Sequence, residues 1–323
     1  MEKMITNETF ADRKATKSMM EENRAKYLRF KKRRIRKKIK YFINLLTIVL
    51  CTMLIITIWK DSGIKKYISE RFDRKSEATK VISDVDKNIS KPVERKEAEV
   101  IECLAQMAGG DERFKEIYQN IESYPKEMLA SLVNNPEMVD FVMNYNKDRK
   151  QTKAELTREE KEEAYPLFLQ WDQRWGYEEY GGSIIGMNGC GPTCLSMVIF
   201  ALTRDSDITP DVIAAFSEEE GHYVKGTGTS WSLMTEGAKK YGLKAREVSL
   251  DKHIMERELD AGHPIICALR AGDFTTLGHF IVIYDYDENG FMVNDPNCIA
   301  RSKRQWEYED LCGQIKNMWS YEY

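Results

Sequence analysis

NGCGPTCLSMVIFAL, residues 188–202, is the stretch of sequence that decides the fold of this chain. The apolar run from Cys194 to Leu202 is long enough for a buried helix, and Pro192 suits the first helical turn because a missing N–H costs nothing there. Cys190 is therefore expected at a helix N-terminus, where unpaired N–H groups and the helix dipole favour a thiolate. The alternative is a small core cysteine, an interpretation that suits Cys194 better than Cys190.

A thiolate nucleophile needs a base, and the chain contains four histidines. Three of them lie in a glycine-rich loop, a charged stretch typical of a helix surface and a turn before a proline; they are His222, His253 and His263. His279 opens the apolar run FIVIY, and the start of a core strand would hold its ring rigidly at a cleft. His279 is therefore the predicted base, with His222 as the second candidate.

Two strand-like runs, FIVIYDY and GFMVND, flank the turn signal DENG at 287–290, so a β-hairpin is predicted here. This turn places His279 opposite residues 296–298 and within a residue or two of Asp295. A carboxylate in that place can bond the imidazole N–H, fix its tautomer and stabilise imidazolium. The alternative for Asp295 is an ordinary turn residue before Pro296.

Four motifs in this order resemble those of the C39-like peptidases, members of the papain-like superfamily. They are QWDQRWG at 170–176, GCGPT at 189–193, Gly278-His279 and Asn294-Asp295-Pro296, and the resemblance covers about residues 165–321. It implies an α+β, papain-like fold in which the nucleophile begins a helix that packs on an antiparallel sheet. It also implies Cys190 as nucleophile, His279 as base and Asp295 as orienting carboxylate. Gln170 would be an oxyanion-hole donor beside the backbone N–H of Cys190.

The position of Gln170 departs from that in the bacteriocin-leader peptidases of this clan, which carry the glutamine six positions before the cysteine. That position is Ile184 here, so a loop must fold out between Gln170 and Cys190. Asn188 is the substitute candidate for the oxyanion hole. Leader peptidases are often fused to ABC transporters, and the lack of a Walker A motif argues against cleavage after double-glycine leaders. Further candidates for the cleft wall are Gly226, Thr229, Ser230 and Trp231, for which an ordinary loop is an equally good interpretation.

The predicted reaction is hydrolysis of a peptide or protein substrate through a thioester acyl-enzyme. Two other functions stay open: a catalytically inactive module that binds peptides or wall material, and a transferase or amidase with the same Cys-His-Asp chemistry. No cofactor or metal is expected, because the seven cysteines show no C-x-x-C pair and the four histidines are scattered.

Charge is distributed unevenly along the 323 residues, although the formal net charge is only −3. Residues 24–40 carry eleven Lys or Arg and no acid, whereas the part after Trp59 has a formal charge of about −13. An acidic body of this kind argues against nucleic-acid binding. Between them lies YFINLLTIVLCTMLIITIW, residues 41–59, without a charged side chain. A helix of this length spans roughly 28 Å, close to a bilayer core, so a single transmembrane helix is predicted.

The basic run before residue 41 predicts a cytoplasmic N-terminus, with everything after Trp59 outside the cell membrane. The peptidase is therefore expected to be extracytoplasmic on a single-pass anchor. A cleaved signal peptide and a buried core helix are the alternatives, and Lys60-Asp61-Ser62-Gly63 directly after the apolar run is no small-x-small cleavage site. In such a non-reducing space, Cys298 and Cys312 are a candidate disulfide pair.

Composition divides the chain into six predicted segments. They are a basic cytoplasmic tail at 1–40, the transmembrane helix at 41–59, a stalk at 60–92, a small helical region at 93–148, a charged linker at 149–163 and the C39-like peptidase domain at 164–323. The helical region follows from apolar residues at helical spacing, such as Val100, Ile101 and Leu104. Its role as an autoinhibitory prosegment, a spacer or a docking module stays open. The sequence does not indicate an oligomeric state.

Overall fold

The structure, a computed structural model, describes residues 91–147, 154–226 and 228–323, all of which belong to one compact unit. The predicted transmembrane helix at 41–59 lies outside these described residues. Among the residues that are described, no helix is both long and apolar enough to cross a bilayer.

The helical region, described over residues 93–147, consists of four short α-helices. They are α1 (Glu97–Ala108), α2 (Glu112–Gln119), α3 (Lys126–Asn134) and α4 (Val139–Met143). Asp111 caps α2, and Asn135 caps the 3₁₀ turn Pro136–Met138 that leads into α4. Ile101, predicted on the buried stripe of α1, is exposed instead. Consecutive helical residues point about 100° apart, and Ile101 falls just past the buried edge of that stripe.

The C-terminal region, residues 154–323, contains eight further α-helices among its described residues. They are α5 (Arg158–Glu162), α6 (Ile185–Asn188), α7 (Cys190–Thr203), α8 (Pro210–Glu219), α9 (Ala238–Lys240), α10 (Lys252–Asp260), α11 (Ile299–Lys303) and α12 (Tyr308–Cys312). A π-helical turn, Leu233–Gly237, leads into α9. Within the predicted linker, Thr157 and Glu160 cap α5 reciprocally, and Arg174 pairs with Glu160 at 2.7 Å.

Ten strands are found in the described part of the C-terminal region. They are β1 (Glu179–Tyr180), β2 (Ser183–Ile184), β3 (Tyr223–Val224), β4 (Gly228–Thr229), β5 (Lys244–Glu247), β6 (Ile265–Leu269), β7 (His279–Asp287), β8 (Gly290–Asn294), β9 (Gln305–Trp306) and β10 (Ile315–Glu322). β1–β2 and β3–β4 are separate pairs, and the large sheet has the order β5-β10-β6-β7-β8-β9. Its neighbouring strands are all antiparallel. The predicted hairpin is present as β7–β8, with Val282 opposite Asn294.

The large sheet lies between two cores, because successive strand residues point to opposite faces. Ile266, Phe280 and Val282 share one core with α7, whose residues 191–200 are all buried. Cys267 and Ile281 belong to the other core, with residues of α10 and α12. The α+β class is therefore confirmed, and a buried helix on an antiparallel sheet fits a papain-like fold.

The helical region packs against the segment that precedes α7. Phe141 of α4 stacks on Tyr177 with ring centroids 4.3 Å apart. Its ring also occupies the space beside Gly176 and Gly186, where an added Cβ would overlap it. Trp171 completes the same buried cluster. The helical region and the C-terminal region therefore share a third core, separate from the two cores of the large sheet.

Candidate active site

Cys190 is the first residue of α7, as the sequence predicted, and its thiol is half-buried. Crowding explains the glycines on either side of it. A Cβ on Gly189 would lie 2.6 Å from the carbonyl oxygen of Ile185, and one on Gly191 would lie 2.7 Å from Thr229. The first N–H groups of a helix lack an intrahelical partner and favour nearby negative charge, so this place suits a thiolate.

Cys194 lies one turn further along α7 and is fully buried. Burial raises the pKa of its thiol well above the ordinary value, and the charge of Cys190 adds to the effect. This sulfur therefore stays protonated, so the two cysteines of α7 differ as their surroundings in the sequence predicted.

The candidate disulfide between Cys298 and Cys312 is absent, since both are free thiols. Cys298 is buried at the start of α11, where its Sγ accepts the N–H of Arg301 at 3.4 Å. Cys312 is the last residue of α12 and is only half-buried. The candidate pairing is not found because Cys298 precedes one short helix and Cys312 ends another, in different surroundings.

His279 begins β7 and Asp295 directly follows β8, so the hairpin joins two residues sixteen positions apart. The Nε2 of His279 lies 2.7 Å from the Oδ1 of Asp295, and both side chains are buried. Cys190 lies near the same ring and helps to raise the pKa of the His279 imidazole. The structure thus joins His279 to Asp295 directly and places Cys190 near the same imidazole.

Opposing effects set the protonation of His279 and Asp295. Burial alone would lower the pKa of the His279 imidazole, because desolvation disfavours the charged ring. The charge and hydrogen bond of Asp295 outweigh burial, Cys190 adds to them, and the pKa rises to about 9. For Asp295, burial would raise the pKa, but the charges of Arg301 and His279 hold it below its usual range. An imidazolium beside a carboxylate is therefore the stable form at neutral pH.

Arg301 is a buried partner of Asp295 that the sequence reasoning missed. Its Nε donates to the Oδ2 of Asp295 at 2.7 Å. The Oδ1 of Asp295 also accepts the backbone N–H of Asn297 at 2.8 Å, and the N–H of Asp295 donates to the Ser302 Oγ at 2.8 Å. Nothing in the spacing of Arg301 from Asp295 marks this contact, which arises because α11 folds back over the turn.

Gln170 is buried between the nucleophile segment and the turn after Asp295. Its backbone N–H donates to the Pro296 oxygen at 2.7 Å, and its Nε2 donates to the Gly186 oxygen at 2.9 Å. The predicted loop between Gln170 and Cys190 is present as the β1–β2 hairpin followed by α6. The loop brings Gln170 beside Gly186, whose backbone carbonyl accepts the hydrogen bond from its Nε2.

Tyr180 is a second buried residue near Cys190 that the sequence did not single out. Its hydroxyl lies 2.9 Å from both the Ser217 Oγ and the Thr229 Oγ1. Burial, together with the nearby charge of Cys190, raises its pKa to about 12, so the hydroxyl stays protonated.

The alternative oxyanion donor, Asn188, directs its Nδ2 to the Tyr180 carbonyl at 3.4 Å.

The remaining histidines and cleft-wall candidates have partners of their own. The histidine contacts are His222 to Ser232 at 2.8 Å, His263 to Glu258 at 3.1 Å and His253 to Glu256 at 3.4 Å. Thr229 contacts Gly191, while Trp231 packs edge-on against Trp319. Across 91–147, 154–226 and 228–323, no three His, Cys, Asp or Glu side chains are grouped to hold a metal ion.

Comparison with known proteins assigns the C-terminal half of the chain to a family. The model of the Peptidase_C39 like family matches residues 162–323, half of the chain. The peptidase domain of Streptococcus ComA, a bi-functional ABC transporter involved in a quorum sensing pathway, is 22% identical, with a TM-score of 0.35. That match covers 48% of this chain and 96% of the ComA domain.

A protein of Bacillus anthracis described as a C39-like peptidase is 16% identical, with a TM-score of 0.30. Here the match covers 42% of this chain and 89% of the other. No curated protein matches. Because the family model spans half of the sequence, the chain belongs to the C39-like peptidase family.

Proposed function

We propose that this chain is a cysteine peptidase with Cys190 as nucleophile, His279 as base and Asp295 as orienting carboxylate. The observation that carries the proposal is the 2.7 Å contact between His279 and Asp295, on a ring that lies near Cys190. Such a contact keeps the imidazole in one tautomer and stabilises its charged form. Membership of a peptidase family adds support.

The proposed reaction has two halves. In the first, the Cys190 thiolate attacks the carbonyl carbon of the peptide bond and forms a C–S bond. The C–N bond then breaks, and the His279 imidazolium gives its proton to the leaving amine. In the second half, neutral His279 takes a proton from a water molecule, and the oxygen of that water attacks the thioester carbon. Collapse releases the carboxylic acid and restores the thiolate–imidazolium pair.

Charge that develops on the carbonyl oxygen requires hydrogen-bond donors. The backbone N–H of Cys190, at the start of α7, is the first proposed donor. Gln170 is the second; its Nε2 would exchange the Gly186 carbonyl for the substrate oxygen. Asn188 is the alternative, since its Nδ2 makes only a long contact at 3.4 Å.

The proposed enzyme is held at the cell membrane by residues 41–59, with the peptidase domain outside. What supports this placement is a stretch of nineteen uncharged residues that directly follows a basic run. Protease added to intact cells should then remove the C-terminal region, while a cytoplasmic marker protein stays whole. Protection of the C-terminal region would rule out the proposed orientation.

The activity itself is tested with the full chain and a peptide library, followed by mass spectrometry of the products. Wild-type protein should produce peptides with new carboxyl termini, and the Cys190→Ala variant should produce none. Amide products in the presence of an added amine would indicate a transferase instead. Peptide binding without any product would indicate an inactive module.

A further inference from the structure

The turn that carries Asp295 is held by the helical region from far away in the sequence. The Nδ2 of Asn135 donates to the carbonyl oxygen of Asn297, a residue 162 positions later. The same oxygen accepts the Nε1 of Trp171 at 2.8 Å. Because Asn135 is fully buried, this contact is part of the packed interior.

Glu137, in the 3₁₀ turn that Asn135 caps, makes two hydrogen bonds to the start of α11. Its Oε2 accepts the N–H of Ile299 at 2.6 Å, and its Oε1 accepts the N–H of Ala300 at 2.9 Å. Charge-assisted bonds to both oxygens of one carboxylate fix its position and orientation. They hold the first two residues of α11, which directly precede Arg301.

Arg301 bonds Asp295 directly, and the two residues just before it bond Glu137. Burial would lower the pKa of its guanidinium, but the charges of Asp295 and Glu137 work against burial and, with Cys298, raise it. The charges therefore alternate in sign along the series His279, Asp295, Arg301 and Glu137. If Glu137 were neutral, Asp295 alone would balance Arg301 and would stabilise the imidazolium less.

We propose that Glu137 is a positioning residue of the active site, which holds Arg301, and through it Asp295, against His279. The helical region is then part of the catalytic scaffold. This inference rests on the proposed function, because it concerns the same thiolate–imidazolium pair. It differs from the prosegment, spacer and docking roles, because here the helical region is required for the correct position and protonation of His279.

The test is the pH dependence of Cys190 alkylation by iodoacetate in the full chain. The anionic reagent reacts with the thiolate and is attracted by imidazolium, so its rate should fall as His279 loses its proton. Glu137→Gln keeps the size and removes the charge. Glu127→Gln, at an exposed glutamate of α3, is the matched control. Cys190→Ala measures the background from the other thiols.

We expect Glu137→Gln to slow alkylation about threefold. The alkaline limb of the pH–rate profile should also shift to lower pH by about half a unit. Glu127→Gln should match the wild type. Equal rates and equal limbs for the two variants would overturn the inference, and so would a lower Tm of Glu137→Gln with an unchanged limb. If the wild type reacts no faster than Cys190→Ala, it is the proposed function that fails.

A second variant covers the case in which Glu137→Gln does not fold, as judged by circular dichroism. Glu137→Asp keeps the charge and loses the reach to the two N–H groups of α11. A slower alkylation with the limb at its wild-type pH would support the positioning role. Wild-type rate and wild-type limb together would overturn it.

Discussion

The two sides of the proposed active site, which carry the nucleophile and the base, are built in different ways. On the nucleophile side, neighbouring residues of one segment place Cys190 at the start of α7. On the base side, His279 depends on Asp295, then on Arg301, and finally on Glu137 in a different region of the chain. One side is local in sequence, whereas the other is assembled by tertiary contacts.

This difference separates two kinds of damage. Loss of the nucleophile should stop the chemistry and leave the fold intact, because the Cys190 thiol is only half-buried at the start of a helix. Loss of a charge on the base side should also move the pH profile, because each charge acts on the next. The pH profile is therefore the measurement that distinguishes the two sides.

The largest expected effect is on the nucleophile side. Cys190→Ala should lower kcat by roughly 10⁵-fold or more, since the acyl-enzyme cannot form. Cys194→Ala is the control on the same helix: it should keep the activity and lose about 1–2 kcal/mol of stability, because it leaves a small cavity in the core. Peptide hydrolysis and thermal unfolding measure the two effects. Full activity of Cys190→Ala would exclude the proposed nucleophile.

Asp295→Asn should have the next largest effect and should act on the pH profile. The charge of Asp295 helps to raise the pKa of His279 to about 9. Removal of this charge should lower that pKa and move the alkaline limb of kcat/KM to lower pH. Loss of the correct tautomer should also lower kcat by about 10³–10⁴-fold. An unchanged rate and limb would show that Asp295 does not orient the base.

Arg301→Met should move the alkaline limb in the opposite direction. It removes the positive charge that competes with imidazolium for Asp295, so the pKa of His279 should rise. Turnover should still fall about 10-fold, because Asp295 loses the bond that orients it. The exposed Arg304, which pairs with Asp310, provides the control variant Arg304→Met. A limb at lower pH in Arg301→Met would contradict the alternating-charge argument.

The smallest effect is expected where the helical region contacts the nucleophile side. Gly186→Ala would push a methyl group into the Phe141 ring, which should cost about 1–3 kcal/mol of stability. Because no charge changes, the alkaline limb should stay in place. Gly313→Ala, where a Cβ meets no atom within 4 Å, is the control and should be nearly neutral. A shifted alkaline limb in Gly186→Ala would contradict the proposed division, because only the base side should set the pH profile.

The same division explains what could be predicted from the sequence. Glycines, a proline and an apolar run are local signals, so the position of Cys190 at a helix start was predictable. The pairing of His279 with Asp295 followed from one hairpin turn, which is local as well. Arg301 and Glu137 carry no local mark, because their roles exist only once α11 and the helical region meet. The partner of the Gln170 amide likewise depends on how an intervening loop folds.

The distance in sequence between Glu137 and α11 has a consequence for the timing of folding. The two bonds join residues 162 and 163 positions apart. Closing so long a loop is entropically costly, and non-local contacts of this kind form late. The α7 helix, with Cys190, can therefore form before Arg301 and Glu137 support the Asp295 that pairs with His279. We expect incompletely folded chains to carry a thiol without a tuned base, which protects neighbouring unfolded chains from premature cleavage without a separate inhibitor.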